Sequence, residues 1–551
     1  MSERQLNRAA AIAIVLGVLA FAMLSGLFPE ADPIHFLPGF DPRSQMEFVV
    51  EAPAKAHEAR NWALFGEWHR NPADNYQFWR IQAPLWVYPL AWCFRAFGVS
   101  YTTLRFFSLA YALVGVVGFL IVGKRGLGMG ALVVGLWLMG SNIFVTQVAR
   151  SGLVEVALNA AAVWMVYALL RGKEHPLWLV VAQAIFGVAF FTKSGIVLVF
   201  PLLVVANIWT FVQWCAEGTF HKLRWLPVAT AVLLGGFALM WVLQPEYLRV
   251  LEWNTGHLLT GQDHLYAYGP PWYERFDLNR TFKTWYSLFP AVGVLGLPGL
   301  FWLGYRVWVT RGAERWQVLL VAWTASCWMA LLVSRIWTIR HNSILFLPNY
   351  LVIAWTVQQL WQIAGADAAR GRGMRVFIGF AIATSLGIHA SHHSRNFAGL
   401  SWEIRDTALQ TIEEIGDQPA VIMGRFAVPL LLSTPYDVYY VKAGFNMEPA
   451  RIRALGPTYL LRRRQDISDR FLDRSGMGPQ VTLRTIRFWR DSLFLQSIAP
   501  PPRPLPTLTA PLAPLPVPKP TEETALVPVG PVAPTSGAGG RVEPDPPEPG
   551  I

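Results

Sequence analysis

Charge is scarce in this 551-residue chain: only 15% of its residues are Asp, Glu, Lys or Arg, against 53% that are hydrophobic. That balance excludes an ordinary soluble domain and a largely disordered chain. Cysteine is scarcer still. Cys93, Cys215 and Cys327 lie far apart, in or beside apolar segments, which excludes a disulfide framework and a thiolate metal cluster. The first apolar run, residues 9–28, lacks a small-x-small cleavage site, so behind Arg4 and Arg8 it reads as a retained signal anchor rather than a removed leader. Acidic residues are outnumbered 35 to 46 by Lys and Arg, and the formal charge of +11 raises nucleic acid as a partner. The cations, however, sit in short clusters between apolar runs, as membrane orientation requires, and no nucleic-acid partner is expected.

What is present is a series of apolar runs of spanning length, at 9–28, 103–122, 129–148, 152–170, 176–192, 195–213, 225–243, 286–305, 316–334, 343–362 and 374–390. The expected fold is therefore an α-helical polytopic membrane protein with about eleven transmembrane helices over residues 1–390. With the N-terminus cytoplasmic, the inner connections carry Lys124/Arg125, Arg171/Lys173, Lys222/Arg224, Arg306/Arg311/Arg315 and Arg370/Arg372/Arg375, so all of them are basic. The same orientation puts outside a first loop at 29–102, a second at 244–285, and everything after 390. In the last region, Ile404, Ala408, Leu409, Ile412 and Ile415 have helical spacing and precede strand-like runs at AVIMG and DVYYV, which predicts a small outer α/β domain over 391–500. From Pro501, 16 of 51 residues are proline, and 501–551 reads as a disordered Pro-rich tail.

The first outer loop contains EAPAKAHEARNWALFGEW, residues 51–68. Helical spacing puts Glu51, Lys55 and Glu58 on one face and Trp62, Leu64, Phe65 and Trp68 on the other, a helix lying on the membrane surface and ending near Gly66. For any one carboxylate there, a solvated helix face is the plain alternative. The outer connections ought to be poor in cations, yet they hold Arg150, Lys193, Arg335, Arg340 and His341. Singly these could be snorkelling side chains or structural pairs, such as Arg150 with Glu155. Together they suggest an anion site at the outer boundary, suited to a phosphate whose lipid tail stays in the bilayer. A carboxylate facing such cations could take a proton from an acceptor while the cations stabilise a departing phosphate.

Several short motifs occur in an order that resembles the polytopic polyprenyl-phosphate-sugar glycosyltransferases of the C-type fold, which include protein O-mannosyltransferases and aminoarabinose transferases. Over about residues 9–362, Glu51, Ala56, Ala59, Gly66 and Trp68 match the acidic first-loop helix, and Pro84 and Leu85 match the element that follows. Arg150 and Glu155 match the second acidic motif, GVAFFTKSG the stretch carrying Lys193, and GPPWYERF and WTIRHNSILFLPNYLVI the later loop and span. Glu replaces Asp at both acidic positions, and Gln82-Ala83-Pro84 replaces a lysine-proline-proline element. The resemblance implies Glu51 as the catalytic base and Glu155 as a second catalytic carboxylate that orients the acceptor or a neighbouring cation. It implies Arg150, Lys193, Arg335, Arg340 and His341 around the donor phosphate.

The expected activity is transfer of a sugar, with inversion, from a polyprenyl-phosphate donor to a lipid, glycan or protein acceptor at the outer face of a bacterial inner membrane, the active site and C-terminal domain being periplasmic. Glu58, Tyr266, Tyr268, Trp272 and Tyr273 are candidate sugar or acceptor contacts, the aromatics being equally readable as an interfacial belt. No cofactor is expected. A divalent metal near Glu51 and Glu155 is the alternative, and His389, His392 and His393 beyond the last span read as a polar helix end. A transporter and a non-catalytic membrane scaffold are the rival functions. The transporter would call for midplane charges and related halves, neither of which the sequence displays clearly.

Overall fold

A computed structural model describes residues 3–33, 51–76, 79–193, 196, 199–243, 262–263, 266–267, 291–310, 314–333, 343–366, 368–441, 446, 448–463, 480–488 and 491–498. The apolar runs fold as helices: α1 (Glu3–Gly26), then in the first loop α2 (His57–Phe65) and α3 (Pro84–Phe97), then α4 (Tyr101–Gly123), α5 (Met129–Gly140), α6 (Ile143–Arg150), α7 (Glu155–Arg171) and α8 (Leu177–Thr192). There follow α9 (Phe200–Ala216), α10 (Trp225–Leu243), α11 (Leu297–Val309), α12 (Arg315–Val333), α13 (Phe346–Ala366) and α14 (Ala368–Ala398). A helix overlaps each of the eleven expected spans. By length and composition, five helices among the described residues can cross a membrane, six if one bent pair is a single span. The chain is a membrane protein.

Helix contacts rely on small residues, as in other bundles where lipid removes the hydrophobic drive between helices. On α4, the position a Cβ would take on Gly115 lies 3.6 Å from the Ala160 Cα of α7, and on Gly118 only 2.5 Å from a Val163 methyl. The bent pair corrects one expectation. The run at 129–148 is two helices, α5 and α6, set at 67°. Asn142 is the cause: its Oδ1 accepts from the backbone N–H of Phe144 (2.9 Å) and Val145 (3.1 Å), capping a new helix inside an unbroken apolar run. A second correction concerns α14, which continues to Ala398, so His389, His392 and His393 lie on it rather than beyond it. Nε2 of His389 is 3.3 Å from Asn142 Nδ2, and Nε2 of His393 is 2.9 Å from the Ser141 carbonyl oxygen, so this face of α14 packs on the α5–α6 break.

The first loop holds the largest departure. Residues 51–55 are helical and lead through Ala56 into α2, which stops at Gly66, whose φ of 78° is a left-handed value that glycine adopts without strain. The charged face of this stretch was expected to lie at the membrane surface, with a solvated face as the alternative for any one carboxylate. Instead Glu51, Lys55, His57, Glu58, Arg60 and Asn61 are all buried.

Part of this loop packs on a mixed sheet near the C-terminus. Its strands are β1 (Val421–Gly424), β2 (Asp437–Tyr440), β3 (Tyr459–Arg463), β4 (Gln480–Phe488) and β5 (Asp491–Ile498), in the order β2-β1-β3-β5-β4. The first three are parallel, and β5 runs antiparallel to both β3 and β4. Helix α15 (Glu403–Ile415) packs Ile404, Ala408 and Ile415 on the inward residues Ile422, Val438, Leu461 and Leu495, and Ala54 and Tyr76 of the first loop join that core. The Pro-rich tail lies outside the described residues.

Polar groups fasten the loop to the sheet. Arg60, fully buried, donates from Nε to the Leu432 carbonyl (2.8 Å) and from Nη2 to those of Thr434 and Tyr436 (both 2.7 Å). One planar guanidinium thus satisfies three carbonyls of the turn entering β2, a task its fork suits. Burial pulls its pKa down to about 10, which leaves it charged at neutral pH. Asp74 makes the second anchor: it lies 3.5 Å from His57 Nε2 and accepts from Asn446 Nδ2 (2.6 Å) and the Tyr76 backbone N–H (2.9 Å). Although burial alone would raise its pKa, the bonds from His57 and Asn446 hold the carboxyl below the usual range.

Candidate active site

The site begins where the covered loop meets the bundle. Lys55, one helical turn after Glu51, extends its ammonium group to 3.7 Å from Glu155 Oε1 and 5.1 Å above the Trp79 ring. Glu155 is the first residue of α7, where the positive end of the helix dipole favours a carboxylate. Lys193 follows the last residue of α8 in an extended conformation, and its ammonium group also donates to Glu155 Oε1. Two cations from distant segments therefore converge on one carboxylate oxygen, with Lys55 and Glu155 almost wholly removed from solvent. Glu51 is buried beside them, at 9% exposure. Tyr76, 4.6 Å from the Tyr440 ring of β2, has its hydroxyl pKa pushed well up by burial, with Tyr440 and the Glu51 charge adding to the effect.

The other expected site residues that are described make contacts of their own. Arg150, expected at the donor phosphate, directs its Nη2 to the carbonyls of Phe28 (2.8 Å) and Ala31 (2.7 Å). Arg105 does the same for Pro29 (2.5 Å) and Ala31 (3.1 Å), so the two guanidiniums secure the chain where it leaves α1. Glu58, expected to touch sugar or acceptor, has no exposed surface and accepts from the Arg80 backbone N–H at 2.6 Å. Burial raises its carboxyl pKa to about 8. Tyr266 pairs with Asp263 in a two-residue antiparallel bridge. Arg335, Arg340, His341, Tyr268, Trp272 and Tyr273 lie outside the described residues.

Among the described residues no three His, Cys, Asp or Glu side chains are grouped to hold a metal. The two ammonium groups on Glu155 are moreover poor company for a divalent cation. Lys55, Arg60 and Asp74 were not among the expected site residues. For Lys55 a signal was available, its position one turn from Glu51, but the stretch read equally well as a solvated helix face.

Sequence comparison matches no family model and no curated protein. Structural comparison does match. ArnT from Cupriavidus metallidurans bound to undecaprenyl phosphate superposes with a TM-score of 0.54 at 15% identity, over 88% of this chain and 97% of that one. The same protein in its apo state gives 0.53 at 15% identity, over 88% and 98%. The oligosaccharyltransferase of Archaeoglobus fulgidus in complex with zinc and sulfate gives 0.50 at 12% identity, over 82% and 68%. Likeness at such identities is one of architecture, and the chain has the membrane C-type glycosyltransferase fold with a small mixed sheet added after its last long helix.

Proposed function

We propose that the protein is a membrane glycosyltransferase that moves a sugar from a polyprenyl-phosphate donor to a lipid, glycan or protein acceptor at the outer face of the membrane, in bacteria the periplasmic face of the inner membrane. The observation that carries this reading is the convergence of Lys55 and Lys193 on Glu155 with Glu51 one turn away. Glu51 removes the proton of the acceptor hydroxyl or amine as that group attacks the anomeric carbon. The bond from that carbon to the phosphate oxygen breaks on the opposite side, inverting the centre, and the electron pair leaves on the phosphate. Lys55 and Lys193 receive this charge, and a phosphate is a weak enough base to depart without a general acid. Glu155 holds the two lysines together and oriented. Arg150 secures the end of α1 behind them. The undecaprenyl phosphate bound to ArnT, a chain of the same fold, supports a polyprenyl phosphate as the leaving group here.

The test is incubation of purified protein in lipid with radiolabelled polyprenyl-phosphate sugars and membrane extract, comparing wild type with Glu51→Gln. Loss of a general base lowers turnover by about a hundredfold or more while donor still binds. Equal turnover by the variant would remove Glu51 from the base role, and donor untouched by wild type would remove the transferase reading.

A further inference from the structure

The break between α5 and α6 carries a polar contact that only a neutral ring can make. Asn142 has its Oδ1 committed to the backbone N–H groups of Phe144 and Val145, which fixes the amide so that Nδ2 faces His389 Nε2 at 3.3 Å. An amide nitrogen only donates, so His389 Nε2 accepts and carries no hydrogen, and the proton of this ring sits on Nδ1. The side chain is 1% exposed, and Nδ1 makes no hydrogen bond among the described residues. His393, one turn further on, is arranged the other way: its Nε2 donates to the Ser141 carbonyl at 2.9 Å, a bond that a second proton on the ring leaves intact.

A second proton on His389 goes to Nε2, where it sets an N–H against the Asn142 amide hydrogens. Turning the amide over would offer Oδ1 to the ring but give up both cap bonds of α6. A capped α6 and a charged His389 are therefore incompatible while α14 stays docked. The titratable groups acting on His389 are His392 and His393 of its own helix, with Arg395 acting on His392. Facing it, α13 brings Tyr350 beside Asn142, and the α5–α6 break brings Ser141 and Asn142, both uncharged. No carboxylate among the described residues pairs with the ring. His392, half-exposed, has its ring 6.2 Å from that of His389 and opens a path for protons from the surface. We propose that His389 is a proton-sensitive latch: neutral, it holds the C-terminal end of α14 on the α5–α6 break, and protonated, it lets that end go. Docking is complete above the ordinary imidazole value of about 6.5 and weakens as pH falls below it, by up to about tenfold per pH unit for one proton. The latch is independent of the proposed reaction. Its release is passed on to the mixed sheet, because α14 leads directly into the bridge of Leu400 and Ser401 with Pro33 and Asp32 and then into α15.

The test uses the full chain in phosphatidylcholine–phosphatidylglycerol vesicles with Cys93→Ser and Cys215→Ser, Cys327 being fully buried. Nitroxides are placed at Ser394→Cys on the exposed side of α14 and at Ala96→Cys, exposed on α3. Pulsed dipolar spectroscopy from pH 8 to pH 5 should give one narrow distance at pH 8. A second should appear on acidification, its share relative to the first rising by up to about tenfold per pH unit. His389→Gln accepts from Asn142 Nδ2 without titrating and should hold the narrow distance at every pH. Asn142→Asp keeps one oxygen for the cap and turns the other toward a charged ring, so it should abolish the second distance at pH 5 and decides the matter should His389→Gln fail to fold. Wild-type distances that are the same at pH 8 and pH 5 overturn the latch. So does an acid response that persists in either variant, since another group then carries it.

Discussion

Glu58 is a carboxyl with no contact with solvent, and Glu58→Gln should make the protein more stable at alkaline pH. Burial raises its pKa from 4.5 to about 8, against the opposing pull of the Arg80 N–H and charge, and its Oε1 makes no hydrogen bond among the described residues. Between those two values the folded chain holds a proton that the unfolded chain has released. Stability attributable to this group therefore falls as pH rises through the window, by about 1.4 kcal/mol per pH unit, and is level above it. The interval from 4.5 to about 8 gives an upper limit of about 5 kcal/mol for the cost of the buried charge. A glutamine has the shape of the protonated acid and can accept from Arg80 N–H in the same way, but does not ionise. Thermal unfolding in detergent from pH 5 to pH 9 should start with wild type and Glu58→Gln close together at the acid end and separate steadily toward pH 8, with the variant higher. Two curves that stay parallel across the range would mean that Glu58 is ionised throughout, or hydrated, and the burial argument would fail.

Lys55→Met and Lys193→Met each remove one ammonium group from Glu155, and each should lower transfer from a polyprenyl-phosphate sugar by about ten- to a hundredfold, the worth of one charge-assisted hydrogen bond of about 1.5–3 kcal/mol. Unchanged turnover in either would take that lysine out of the site. Arg60→Lys keeps the charge but loses the fork that serves three carbonyls, and should cost about 2–4 kcal/mol, visible as faster proteolytic release of the C-terminal sheet. A sheet as resistant as in wild type would show the anchor to be elsewhere. Asn142→Ala removes the cap of α6 and should destabilise the protein by about 1 kcal/mol, whereas Asn142→Asp should retain most of the cap, as melting of the two variants side by side would reveal.

That apolar helices recur over residues 9–390 was legible because a helix in lipid must be apolar over its whole length, and the chain has little else to offer there. The break at Asn142 was not, since one polar side chain barely alters the hydropathy of a twenty-residue window; its effect comes from two specific hydrogen bonds. Helix α3 escaped for a related reason: at fourteen residues, with Pro84 and Pro89 inside it, it is too short for a spanning window. The strand-like runs at AVIMG and DVYYV became β1 and β2, yet nothing in them pointed to residues 51–76. The burial of the charged side of EAPAKAHEARNWALFGEW was not legible, because amphipathic spacing tells which residues share a side and not what covers it. The partners of Arg60 lie more than 370 residues away in the chain, and pairing over that distance leaves no periodic trace.

Separation along the chain likewise explains why Lys55 and Glu155 were seen separately, and their meeting decides how the proposed reaction distributes charge. Two lysines held this close would repel each other; one shared carboxylate at the start of α7 makes the arrangement stable and leaves the three groups with a combined charge of +1. A sugar phosphodiester carries one negative charge, so donor binding neutralises the cluster. When the bond to the sugar breaks in the proposed reaction, the departing phosphate acquires a second negative charge, to be met by the two ammonium groups that in this structure point at Glu155 Oε1. The lysines therefore interact more strongly with the transition state than with the bound donor, which is the condition for raising the rate of the chemical step rather than merely tightening binding. Glu155 tunes that difference: with its charge absent, the lysines would hold donor and product alike too firmly, and release of polyprenyl phosphate would become the slow step.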